Sequence, residues 1–144
     1  MSTAPVEGAN DIGNSVEFPI ERGAIQRFAA AAQSESADHQ GERAIAPATF
    51  LMSLAQWMQP SDRVDVGFER ARLLHGSQEF HYLGTPPRAG DRLIAQERIA
   101  DRFEKTGRKG GTMRFAVVET EFRHADTDEI VARMRSTLIE RAAR

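Results

Sequence analysis

The chain has 144 residues, enough for one hydrophobic core and one domain. Hydrophobic residues at 40% and charged residues at 28% exclude collagen-like, coiled-coil and wholly disordered classes, and a net charge of −2 provides no global field for nucleic acid. The absence of cysteine excludes disulfides, thiolate zinc sites and cysteine nucleophiles, and fits a reducing cytoplasm.

The opening "MSTAPVEGANDIGNS" has no basic cluster leading into an apolar run, and no 18 apolar residues occur together anywhere. This predicts a soluble chain with no membrane partner: a flexible tail over residues 1–14, then a single domain over 15–144. "VEFPI" reads as a short extended piece. In "ERGAIQRFAAAAQ", Ile25, Phe28, Ala29 and Ala32 recur at helical period, predicting an amphipathic helix. The polar "SESADHQGERA" reads as a loop. "IAPATFLMSLAQWMQP" is apolar on nearly every side, predicting a buried helix with Pro47 in its first turn and Pro60 stopping it.

From residue 73 the texture changes to β-type runs between turn signals, predicting four strands. In "RLIAQERIADRF" the alternate set Leu93, Ala95, Ile99 and Phe103 is apolar, against Ile94, Gln96, Arg98, Arg102 and Glu104 on the other face. "TMRFAVVETEF" is apolar on both faces, with Met113, Phe115 and Val117 on one and Ala116, Val118 and Phe122 on the other, as expected of a central strand. An antiparallel sheet plus one apolar helix packs economically when the sheet curls around the helix, an α+β hot-dog architecture. Its edge strand and uncovered face predict pairing with a second copy or a relative.

Four stretches, "IERGAIQRFAAAAQ", "IAPATFLMSL", "LLHGSQEFHYLGTPPRAGDRL" and "GGTMRFAVVETEFRHADTDEIVARMRSTLIER", resemble in order and spacing the MaoC-like hydratases and dehydratases, most closely their N-terminal-type, fatty-acid-synthase-like dehydratase branch, over about residues 16 to 141. The resemblance implies a hot-dog fold acting on acyl-CoA or acyl carrier protein thioesters. The implied reaction adds water to a 2-enoyl group or removes it from a 3-hydroxyacyl group, and it needs no cofactor. Active members hold water with an aspartate, an asparagine and a histidine after the first helix. Here His39 falls at the histidine position, but Ser34 and Ser36 stand at the other two. Serine does neither proton transfer nor water activation well unaided. Glu35 and Asp38 offer a shifted carboxylate; His39 as a solvated loop residue is the plainer reading. Eroded motifs of this kind imply the acyl-binding half of a heteromer whose sister subunit supplies the catalytic groups.

The N–H groups of Ala48 and Thr49, at the predicted helix start, lack intrahelical acceptors, and the resemblance implies that such an amide polarises the thioester carbonyl. Met52, Leu54, Trp57 and Met58 either line an acyl tunnel or fill the core. Strand spacing places His75, Glu79 and His81 on one face, a possible metal set that reads equally as a solvent or interface face, and the reading settles on no metal site. "HADTDE" reads as a hairpin turn, lacking the ligand spacing of a calcium loop. "KTGRKGG" carries Lys105, Arg108 and Lys109 at a strand–strand turn without Walker spacing; it is a solvated tip or a contact for coenzyme A phosphates or an acidic carrier protein. Two other classes remain open: a hot-dog thioesterase, weakened because "IAPATFLMSLAQWMQ" holds no carboxylate, and an acyl-thioester binding module without turnover.

Overall fold

The computed structural model describes residues 11–144, so most of the expected tail lies outside the described residues. Its last four residues do not match a flexible tail. Ile12 bridges Arg98, and the Gly13 N–H donates to the Glu97 carbonyl at 2.9 Å.

The elements run β1 (Val16–Pro19), α1 (Arg22–Ala31), a 3₁₀ segment (Phe50–Gln56), β2 (Leu73–Tyr82), β3 (Arg92–Thr106), β4 (Thr112–His124) and β5 (Ile130–Glu140). The strands form one antiparallel sheet in the order β1-β3-β4-β5-β2, which puts β4 at the centre as its two apolar faces require. The fold is the α+β hot-dog expected from the sequence. α1 and the 3₁₀ segment cover one face of the sheet, packing Ile25, Phe50, Leu51 and Leu54 against Phe18, Leu93, Ala95, Phe122 and Ala132. The Phe18 ring stands 6.1 Å from both Phe50 and Phe122, and Phe28 meets Phe50 edge-on at 5.5 Å.

Several local expectations are corrected. The segment after Pro47 is a seven-residue 3₁₀ helix rather than a buried α-helix. Three residues per turn align Leu51 and Leu54 on the row that faces the sheet; Met52 lies off that row and Trp57 past the end of the segment, and they stay 42% and 41% exposed. Helical structure ends at Gln56, and Pro60 opens a further short 3₁₀ turn instead of stopping the first. In α1, Ile25 and Ala29 are buried, but Ala32 lies past the last turn and is exposed.

Two bulges change which side chains share a face. The β3–β4 register shifts between Ile99 and Asp101, so beyond it Arg102 joins the covered face and Phe103 turns outward to stack on Phe115 at 4.7 Å. The β2–β5 register shifts between His75 and Ser77. His75 therefore sits on the face of Gln78, opposite the face of Glu79 and His81, and the expected three-residue set is split. Among the described residues no group of three or more His, Asp or Glu side chains is placed to hold a metal. No helix among them is long and apolar enough to cross a membrane.

Candidate functional site

Between the 3₁₀ segment and β2 the chain forms only two three-residue 3₁₀ turns, Pro60–Asp62 and Arg70–Arg72. An extended strap, residues 58–72, crosses the covered face of the sheet. Charged side chains of the sheet pin it. Glu97 accepts from the Val64 N–H at 3.1 Å and from Arg63 at 3.4 Å; Arg102 donates to the Val66 carbonyl at 2.9 Å; Glu140 accepts from the Glu69 N–H and pairs with Arg72 and Arg114. Burial alone would raise the Glu140 carboxyl, but the Glu69 N–H and the two guanidinium groups outweigh it and hold the group below its ordinary value.

The strap leaves a cavity of about 360 Å³ against the sheet. Met52, Leu54, Met58, Val64, Val66, Leu73, Val118, Met134 and Leu138 give it apolar walls, and Glu97, Thr120 and Ser136 give it polar ones. This is the size and character of a pocket for an extended apolar ligand. Of the residues singled out from sequence for an acyl tunnel, Met52, Leu54 and Met58 reach this cavity, whereas Trp57 lines a separate hollow beside Phe18, Arg27 and Phe28. Glu97, Thr120 and Ser136 were not anticipated. The available signal was Glu97 itself, an acidic residue at an inward position of the alternation that holds Leu93, Ala95 and Ile99.

His39 closes a short 3₁₀ turn, Ala37–His39, in which the Ser36 side chain caps the Asp38 N–H. Its Nδ1 lies 2.7 Å from the Ile45 carbonyl. A carbonyl oxygen only accepts, so the contact is made by a protonated Nδ1. The hydroxyls at the motif positions serve the backbone: Ser34 Oγ accepts from the Ser36 N–H at 3.4 Å and Ser36 Oγ from the Asp38 N–H at 3.3 Å. Glu35 and Asp38 are exposed. The hollow around His39, lined also by Gln26, Ala29, Ser34, Ser36 and Gln40, shares no residue with the apolar cavity.

Ala48 and Thr49 form an exposed turn before the 3₁₀ segment, and the Tyr82 hydroxyl fastens it by donating to the Ala48 carbonyl at 2.6 Å. Burial raises the Tyr82 phenol above its usual value, keeping it a donor. Lys105, Arg108 and Lys109 stand at the β3–β4 turn; the Lys105 ammonium lies 5.3 Å from the Phe115 ring and 5.6 Å from the Phe103 ring, on the outer face. None of the three lines the cavity or the His39 hollow.

A family model described as "FAS1-like, dehydratase domain region" matches residues 9–134. The chain belongs to this family. The FAS1-like dehydratase assignment agrees with the MaoC-like resemblance carried by the four sequence stretches. Solved structures with the same fold include the HadBC (3R-hydroxyacyl-ACP dehydratase) complex of Mycobacterium tuberculosis, 24% identical over 90% of this chain and 97% of that one, with a TM-score of 0.70. The ChsH1-ChsH2 complex of the same organism is 14% identical over 95% of this chain and 86% of that one, with a TM-score of 0.63. The MaoC-like dehydratase of Phytophthora capsici has a TM-score of 0.71 at 17% identity, over 93% of this chain and 48% of that longer one. No curated protein matches the chain significantly.

Proposed function

We propose that this chain is the acyl-binding half of an enoyl-thioester hydratase or 3-hydroxyacyl-thioester dehydratase, working with a sister subunit that supplies the catalytic aspartate and histidine. One observation carries the reading: His39 and the apolar cavity occupy separate sites, and the hydroxyls beside His39 are engaged by backbone N–H groups. Hydration of a 2-enoyl thioester puts a water oxygen on C3 and a proton on C2, and both transfers need polar groups at the reacting carbons. The cavity of this chain suits the tail of such a substrate better than its reacting end. Two of the structural relatives are two-component complexes by name, and β2 is a ten-residue edge strand with one backbone side unpaired in the sheet.

In this reading Met52 contacts the acyl chain and Trp57 flanks the seam with the sister subunit. The Ala48 and Thr49 N–H groups, without backbone acceptors among the described residues, approach the thioester carbonyl. Lys105, Arg108 and Lys109 meet coenzyme A phosphates or an acidic carrier protein. The substrate is an acyl-CoA or acyl carrier protein thioester, and the setting is cytoplasmic.

The test is the loss or gain of conjugated-thioester absorbance. The chain alone should leave crotonyl-CoA and longer enoyl-CoA unchanged, and addition of a sister subunit bearing the catalytic aspartate and histidine should create hydration. His39→Ala in this chain should change the rate of the assembled pair by less than about twofold. Robust hydration by the chain alone, abolished by His39→Ala, would overturn the partner-dependent reading.

A further inference from the structure

The wall of the cavity is more polar than a hydrocarbon tail needs. Glu97 lines it and is only 6% exposed, and its cross-strand neighbour Thr120 is buried beside it. A carboxylate has about four acceptor positions, and Glu97 uses two of them, on Arg63 and the Val64 N–H. On the adjacent row of the same face, Ser136 pairs with Gln78 across β5 and β2. The Ser136 hydroxyl donates to Gln78 Oε1 at 2.5 Å, and His75 Nε2 lies 3.2 Å from the same oxygen. Gln78 itself does not line the cavity, so Ser136 meets the cavity with its hydroxyl already engaged behind the wall. The cavity wall therefore presents unused acceptor capacity at Glu97 beside the Thr120 hydroxyl, and a buried polar group without a partner is costly to keep.

We infer that Glu97, with Thr120 beside it, selects an acyl chain bearing a hydroxyl group along its tail. The inference rests on the thioester reading above and narrows its substrate class. A hydroxyl donates to a carboxylate and accepts from a neighbouring hydroxyl, whereas a plain methylene chain leaves the spare acceptor positions of Glu97 desolvated and unmatched. The cavity volume of about 360 Å³ equals the share of roughly a dozen waters, room for a tail of about ten carbons.

The experiment is calorimetric titration of the chain, in the assembly in which it purifies, with decanoyl-CoA and with monohydroxydecanoyl-CoA isomers carrying the hydroxyl at successive tail positions. At least one isomer should bind about tenfold more tightly than decanoyl-CoA, the low end of what a hydrogen bond to a charged group contributes. Glu97→Met should abolish that preference, bringing the ratio of hydroxydecanoyl-CoA to decanoyl-CoA affinity to about one. Glu97→Gln, which keeps the shape and the bond to Val64, should reduce the preference several-fold and guards against a Met variant that fails to fold. Equal binding of decanoyl-CoA and every isomer overturns the inference and leaves the thioester reading standing. An equal loss for both ligands in Glu97→Gln also overturns it, since Glu97 would then act only as the strap's anchor. If no thioester binds the wild-type assembly, the proposed function falls and the inference falls with it.

Discussion

Tyr82 shows how one side chain can hold the turn at Ala48 and Thr49. Its ring packs against the core at the end of β2, and its hydroxyl reaches the Ala48 carbonyl. Tyr82→Phe keeps the packing and removes that bond, so the loss of stability should be about 1 kcal/mol, read as a lower urea midpoint at unchanged slope. The phenol adds a pH dependence of known sign. Burial raises its folded value above the ordinary 10.0, so the unfolded chain ionises first and stability falls as pH climbs through and beyond that value. The Phe variant lacks this component, and its unfolding midpoint should fall less steeply on the alkaline side.

At the level of elements, the strap and the stretch before β1 are built as one unit. Gly13 donates to the Glu97 carbonyl while Asn14 reaches the strap at Ser61 and Asp62, and a Cβ on Gly13 would lie 2.1 Å from the Asp62 carbonyl oxygen. Gly13→Ala must therefore displace strap backbone, and it should destabilise the fold by about 1–3 kcal/mol. Gly23→Ala, in α1 with its nearest neighbour the end of Arg27 at 3.4 Å, should cause no loss. Thermal melts of the two variants side by side check both statements. The strands were legible because alternation survives in a single sequence: Leu93 and Ala95 against Ile94 and Gln96, and the two apolar sets of β4. The bulges at Ala100 and Gly76 were not, because a one-residue slip follows from how the sheet pairs and leaves the composition of the run unchanged. That is why Phe103 and His75 were assigned to the wrong faces. The central segment was legible as apolar but not as 3₁₀, since one apolar run fits either helix and the turn is decided by what it packs on. Ser34, Ser36 and His39 were legible as a loop, while the cavity's polar wall, assembled from three strands and the strap, has no local signature.

Across the whole molecule, the cavity exists because extended chain replaces further helix over the covered face, and the charged anchors that fix this chain make the architecture sensitive to acid. Glu140 at the end of β5 is buried and joins the Glu69 N–H and Arg72 on the strap side to Arg114 on β4. Its carboxyl titrates below the ordinary 4.5 in the folded chain, so as pH falls the unfolded chain takes up the proton first. The contribution is complete above the ordinary value and is lost as pH drops through the folded one. Glu140→Gln removes the charge at every pH. It should cost about 2 kcal/mol at pH 7, the scale of hydrogen bonds to a charged group, and should show a shallower loss of stability between neutral pH and pH 3. Urea midpoints measured across that range for wild type and variant read both effects. Parallel acid slopes would mean that other carboxylates govern acid unfolding and that the Arg72 and Arg114 pairings stabilise the strap little. A shallower slope together with lost acyl-thioester binding in the variant would tie closure of the cavity to this anchor at the far end of the strap from Glu97.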